Sequence, residues 1–154
     1  MIRLDLLNVG LVEETGGVLL VLRAPELARL LVIETGIQEG EAIALEAEGE
    51  RAERPLTQDI LYDTIRALGA TVAEVQIQDF HDETFYAKIV LAKVDGASRV
   101  ELDARPSDAV ALALRARAPI YVSEQVMGEL SIPEDAGDRF ADLYDEPPEG
   151  RVIH

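Results

Sequence analysis

Two short strings in this sequence hold residue types that could do chemistry together: Arg54-Pro55-Leu56-Thr57-Gln58-Asp59 and Arg105-Pro106-Ser107-Asp108. Each sets an arginine, a proline, a hydroxyl and an acid at a predicted helix start. Free N–H groups and partial positive charge gather at helix N-termini, so an adjoining arginine makes such a start a candidate pocket for phosphate or carboxylate. Arg54, Arg105 and Thr57 are the phosphate-binding candidates. The same residues also fit a plainer role, with Thr57 and Ser107 as N-caps, Asp59 and Asp108 as acids favoured by the helix dipole, and each arginine paired with a neighbouring acid. Asp103 adds to the second string. Strand alternation puts Arg99, Glu101 and Asp103 on the face opposite Val100 and Leu102. An acid at the strand's end and Asp108 at the next helix's start are placed to share a divalent ion, Mg²⁺ foremost. An Asp103–Arg105 salt bridge holding the turn fits the same spacing. The candidate catalytic residues are therefore Asp103, Asp108, Asp59 and Ser107, with Asp103 and Asp108 as metal ligands.

Other chemistries are excluded by what the chain lacks. Cysteine is absent, which removes disulfides, thiolate nucleophiles, zinc ribbons and iron–sulfur clusters. Only His81 and His154 are present, which argues against a two-histidine mechanism or a His-rich metal site. His81 reads as an exposed turn residue beside Asp79, Asp82 and Glu83, and Tyr86 and Lys88 lie opposite Phe85, where they line a polar groove or cap an edge strand. No G-x-G-x-x-G follows a strand and no P-loop lysine exists, so dinucleotide and NTP enzymes of those types are out. Thirty acids against fourteen bases give a formal charge of -16, which opposes passive coating of nucleic acid, although a local arginine cluster or a bound divalent ion can still present a positive spot.

The elements that must position these residues follow from periodicity. Ile2 to Leu11 and Val18 to Leu22 read as a hairpin across Glu13-Glu14-Thr15-Gly16-Gly17, with Leu30 to Ile33 as a third strand. Thr35 and Gln38 have capping-box spacing for a helix running to Gly49, a reading that Gly40 weakens. Thr57 starts a second helix that stops at Gly69. From Thr71 the period changes to two, and three consecutive strands form an antiparallel meander. Ser107 caps a third helix, Asp108 to Arg117, apolar nearly all round apart from two arginines and so expected to be buried. Pro119 to Val122 is a last strand, and Ser123 caps a final helical turn. The fold class is α+β, with mixed or antiparallel sheets and helices. The run from Ile33 lines up with that from Leu102 once Gly36 to Gly40 absorbs two extra residues, which suggests an internal duplication.

Residues 1–130 form the expected domain and 131–154 an acidic, proline-containing tail of net charge -5, expected to be solvated or loosely docked. No stretch approaches the ~18 uninterrupted apolar residues of a membrane span, and the first residues do not read as a signal peptide, so a cytoplasmic address is expected. The apolar strand Val18 to Leu22 and the apolar third helix exceed what a one-sided core needs, which points to a homo-oligomer.

The strings Arg54-Pro55-Leu56-Thr57-Gln58-Asp59-Ile60-Leu61, Thr84-Phe85-Tyr86-Ala87, Asp103-Ala104-Arg105-Pro106-Ser107-Asp108-Ala109-Val110-Ala111-Leu112-Ala113 and Pro119-Ile120-Tyr121-Val122-Ser123 resemble the bifunctional nuclease domain family. The resemblance spans about residues 1 to 130. It implies an α+β fold with mixed sheets, oligomeric assembly, and cleavage of DNA and RNA, with nucleic acid as substrate. Gln58 stands where the family usually has histidine, so any acid–base or metal role of that imidazole is lost here. The reading that follows is phosphodiester hydrolysis with a divalent ion at Asp103 or Asp108 and arginines neutralising phosphate. Its rival is a non-catalytic oligomeric binding or regulatory protein in which the two Arg-Pro strings brace helix starts.

Overall fold

In the computed structural model, which describes residues 1–136, the chain forms one eight-stranded sheet with helices. Strands β1 (Ile2–Leu11), β2 (Val18–Ala24) and β3 (Arg29–Thr35) make an antiparallel meander, followed by α1 (Ile37–Ala47) and α2 (Thr57–Ala67). A second meander, β4 (Ala70–His81), β5 (Thr84–Lys93) and β6 (Arg99–Ala104), leads into α3 (Pro106–Ala116), β7 (Ile120–Val122), α4 (Glu124–Leu130) and β8 (Ile132–Pro133). The strand order is β6-β5-β4-β7-β1-β2-β3-β8. Short β7 joins the meanders, running antiparallel to β1 through Ile2 and Val122 and parallel to β4 through Val75 and Ile120. The fold is thus α+β with a mixed sheet, as expected. Both meanders are followed by a helix, but element order alone does not require a duplication.

The core forms where the helices cover the sheet, around Leu4, Leu20, Leu22, Leu31, Ile43, Ile77, Leu112 and Met127, all under 2% exposed. The apolar run of α3 is buried from Pro106 to Ala113 save Asp108, and it packs against α1, β4 and β5. Gly40, which weakened the sequence case for α1, is what lets that helix form here. A Cβ on Gly40 would meet the Val18 side chain at 2.5 Å, so only glycine allows α1 to lie this close to β2.

The expected tail begins with ordered contacts. Ile132 pairs with Leu30 on β3, the Arg29 guanidinium donates to the Ser131 hydroxyl at 2.5 Å and to its carbonyl at 2.6 Å, and the Glu134 N–H donates to the Ala28 carbonyl at 3.0 Å. Packing therefore continues four residues beyond Leu130, to Glu134, because Arg29 and the β3 edge need partners. The rest of the expected tail lies outside the described residues. Among the described residues no helix is long and apolar enough to cross a membrane.

Candidate functional site

Three helices begin at one cleft. β3 ends at Thr35 and α1 starts at Ile37, while β6 ends at Ala104 and α3 starts at Pro106, so the sheet itself sets both helix starts. The loop through Arg54-Pro55 brings α2 to the same place. First-turn residues Gln38 and Glu39 of α1, Thr57 and Gln58 of α2 and Asp108 of α3, with Arg105 beside them, line a cleft of about 440 Å³. The backbone ends there differ from the expected caps. Gly36, Leu56 and Arg105 take the N-cap positions in extended conformation, without a side-chain cap bond. Thr57 is the first residue of α2, and Ser107 is buried inside the first turn of α3 and does not line the cleft. Proline at the first position of α3 moves its cap back to Arg105.

Arg105 spans the cleft. Its Nε donates to Asp108 Oδ2 at 2.8 Å and Nη2 to Asp108 Oδ1 at 3.3 Å, while Nη1 donates to Glu39 Oε1 at 3.2 Å. The Asp108 carboxylate first, and Glu39 after it, hold the guanidinium above its ordinary pKa. The Arg105 side chain is 65% exposed, and an exposed pair contributes about 0–1 kcal/mol, so these bonds can be exchanged for a phosphate at little cost. Glu39, which sequence reasoning missed, is thus the acid across from Arg105; its position in the first turn after a strand was the available signal.

Asp59 does something else. Its Oδ2 accepts the Leu56 N–H at 2.8 Å, closing the start of α2, and its Oδ1 accepts from Arg115 Nε at 2.7 Å. Arg115 is 3% exposed, 3.9 Å from Glu46 and also bonded to the Ala111 carbonyl. Burial raises the Asp59 pKa, but the Leu56 N–H and Arg115 outweigh it and hold the carboxyl below its ordinary value. Asp59 therefore locks α2 to α3 and does not line the cleft. Arg115 was also missed, although an arginine within an otherwise apolar helix already asks for a buried carboxylate partner.

Asp103 and Asp108 open on different clefts. Asp103 sits across from Lys88 on β5 and lines a second cleft of about 390 Å³ with Gln78, Asp79, His81, Tyr86 and Glu101. Lys88 alternates with buried Ala87 and Ile89, so this cleft faces away from the helices. Lys88 Nζ lies 2.9 Å from Glu101, and the His81 ring stacks on Tyr86 with centroids 4.1 Å apart. No Asp103–Arg105 pair forms among the described residues; Asp103 is exposed. Arg54 is exposed and lines neither cleft.

The donor set also bears on a divalent ion. Among the described residues no three carboxylates or histidines come together as a ready-made metal cage. Mg²⁺ does not demand one, since it is commonly held by one or two carboxylates together with substrate phosphate and water. Glu39 and Asp108 are the two acids that meet at Arg105 and could serve that way.

The model of the bifunctional nuclease domain matches residues 20–135. An uncharacterized protein of Mycobacterium tuberculosis is 43% identical over 119 residues, 76% of this chain and 70% of that protein. Bifunctional nuclease 1 of Arabidopsis thaliana is 28% identical over 110 residues, covering 64% of this chain and 34% of its own length. Bifunctional nuclease 2 of the same plant is 33% identical over 72 residues, 46% of this chain and 22% of that protein.

Proposed function

Because the chain belongs to the bifunctional nuclease domain family, we propose that it hydrolyses phosphodiester bonds of DNA or RNA in the cleft where the three helices begin. The observation that carries this reading is Arg105, an exposed guanidinium with both its partners exchangeable, beside the first turns of three helices. A phosphate entering the cleft takes the bidentate face of Arg105 from Asp108, and the Thr57 hydroxyl and Gln58 amide donate to its other oxygens. Released from Arg105, Asp108 and Glu39 orient the attacking water for in-line attack; one of these carboxylates takes its proton as the water oxygen bonds to phosphorus, and the P–O bond to the leaving nucleoside oxygen breaks, that oxygen taking a proton from solvent. Gln58 positions by hydrogen bonding alone, since an amide exchanges no proton near neutrality. A divalent ion, Mg²⁺ foremost, held by Asp108 and Glu39 would neutralise phosphate charge and acidify water when bound.

The test is cleavage of single- and double-stranded DNA and RNA by purified protein in Mg²⁺ or Mn²⁺. We expect products in metal and none in excess chelator, and a loss of about 100-fold in Arg105→Ala with an unchanged melting temperature. No cleavage of any of these substrates in either metal, or full activity in Arg105→Ala, would overturn the reading. The cleft also holds three acids, Glu39, Glu41 and Asp108, against one arginine, which favours the second reading of a non-catalytic binding or regulatory protein. That reading expects saturable binding of a ligand with no turnover.

A further inference from the structure

The second cleft lies on the sheet face away from the helices, and the proposed hydrolysis does not use it. Three features of the strands build it. The register of β4 against β5 slips between Ile77 and Asp79, and this bulge brings the neighbours Gln78 and Asp79, which a regular strand would point to opposite faces, into one cleft. The hairpin then closes through Asp82 and Glu83, both at positive φ, and sets the His81 ring over Tyr86 with centroids 4.1 Å apart and planes 16° from parallel. Lys88 on β5 and Asp103 on β6 stand opposite each other as cross-strand partners. At about 390 Å³ the cleft falls within the range of ligand-binding clefts.

The groups left unused there define a ligand. The His81 side chain is 52% exposed, so the stack ends in an open aromatic face of the kind that takes another planar ring. Lys88 is only 20% exposed and gives one donor to Glu101 at 2.9 Å, which leaves two of its three N–H groups for a ligand. The Asp103 carboxylate is exposed and unpaired among the described residues, with both oxygens to offer. A planar group that donates two adjacent N–H groups to a carboxylate and accepts from an ammonium beside it uses all three features. Guanine is such a group, since N1–H and N2–H donate side by side and O6 accepts on the same edge. Adenine and cytosine offer Asp103 one donor on that edge, and uracil sets its single N–H between two acceptors. A guanidinium also donates two N–H groups, but it has no acceptor and Lys88 repels it. Phosphate is repelled by Asp79, Glu101 and Asp103.

We infer that this cleft binds a guanine base, stacked on the His81–Tyr86 pair, with N1–H and N2–H donating to Asp103 and O6 accepting from Lys88 Nζ. The base arrives as a free nucleoside or splayed from a single strand, because in a duplex that edge is already paired. Asp103, expected from the sequence to hold a metal, thereby selects a base. Binding does not depend on hydrolysis where the helices begin.

The test is titration of nucleosides into the isotope-labelled full chain in excess chelator, followed by nuclear magnetic resonance of the backbone amides of Gln78, His81, Tyr86, Lys88 and Asp103. Guanosine is expected to move these amides at sub-millimolar concentration. Inosine, which lacks only the N2 amino group, should bind about 10-fold more weakly, and adenosine, cytidine and uridine at least as weakly as inosine. Asp103→Asn should lower guanosine affinity about 10-fold and erase its lead over inosine, and Tyr86→Ala should weaken every nucleoside by about 5-fold or more. Both sites are exposed, so circular dichroism and melting should show each variant folded. A short oligothymidylate with one central guanine, compared with the same strand without it, separates the two sources. Shifts with guanosine alone identify a nucleoside site, shifts with the guanine-bearing strand identify a single-strand site, and each supports the inference. No shift at these amides with guanosine or with that strand, equal affinity for all four common nucleosides, or an Asp103→Asn variant that keeps the preference would each overturn it. Argininamide binding in place of guanosine would mark a guanidinium site and overturn it as well.

Discussion

Replacing Arg115 by methionine keeps the length of the side chain and removes its charge, and it isolates what the α2–α3 lock contributes. Breaking a fully buried ion pair by removing one partner costs about 3–5 kcal/mol, mostly through the charge left behind. Asp59 is not left entirely alone in Arg115→Met, because the Leu56 N–H remains at 2.8 Å and the exposed Arg51 lies 3.6 Å away. The expected loss is therefore about 2–4 kcal/mol, or roughly 6–12 °C in melting temperature for a chain of this size. Asp59→Asn should cost less, about 1–2 kcal/mol, since the single amide oxygen can still accept from either Leu56 or Arg115 although its NH2 then faces the other donor, and Arg115 keeps Glu46 at 3.9 Å. In the double variant neither charge is stranded, so the losses should fall short of additivity by at least about 1 kcal/mol. Urea unfolding followed by far-ultraviolet circular dichroism measures all four corners, provided the m-values agree. Additivity within about 0.5 kcal/mol, or a loss below about 1 kcal/mol in Arg115→Met, would refute the lock.

Gly40→Ala gains about 1 kcal/mol of helix propensity but forces a methyl into Val18, so a net loss of about 1–2 kcal/mol is expected in the same urea assay. The folded Asp59 carboxyl lies below its ordinary value of 3.8, so its contribution is present above that pH and is lost as pH falls through the lower folded value. Thermal melts taken downward from pH 5 should therefore show a steeper decline in the unaltered protein than in Asp59→Asn. Ending the chain at Leu130 removes the Arg29–Ser131 bonds and the β8 pairing, and should lower stability by about 1–3 kcal/mol relative to a chain ending at Ala136. Asp103→Asn should leave the melting temperature within a degree or two, because that carboxylate is exposed and unpaired among the described residues. A larger shift would mean that Asp103 holds the end of β6.

The elements were legible wherever a local pattern decided them. Alternation marked β4 to β6, turn residues marked the first hairpin, and the apolar run after Asp108 marked a buried helix. Ser123 does cap α4, accepting the Val126 N–H at 3.1 Å. Features set by distant partners were not legible. Gly40 looked like a flaw in a helix because its reason, Val18, lies on another element. Asp59 read as a site residue because its partner Arg115 is 56 positions away. Asp103 and Asp108 are five positions apart, yet the turn from strand to helix sends them to opposite sides of the sheet, a geometry that spacing does not encode. The convergence of α1, α2 and α3 on Arg105 likewise depends on strand order, and β7, which fixes that order between the meanders, has only three residues to announce it.

That strand also dictates when the molecule can close. Ile2 and Val122, paired across β1 and β7, stand about 120 positions apart, so one flank of β1 has no neighbour until Val122 has left the ribosome. The first meander can fold early and wait, carrying a bare edge where Ile2 to Leu4 will later pair. Such a wait is the interval in which a nascent chain is most exposed to pairing with another of its kind. Docking of β7 on Ile2 to Leu4 ends it and closes the sheet between the two meanders, which until then are held by the chain between them and by the packing of α1 on α3.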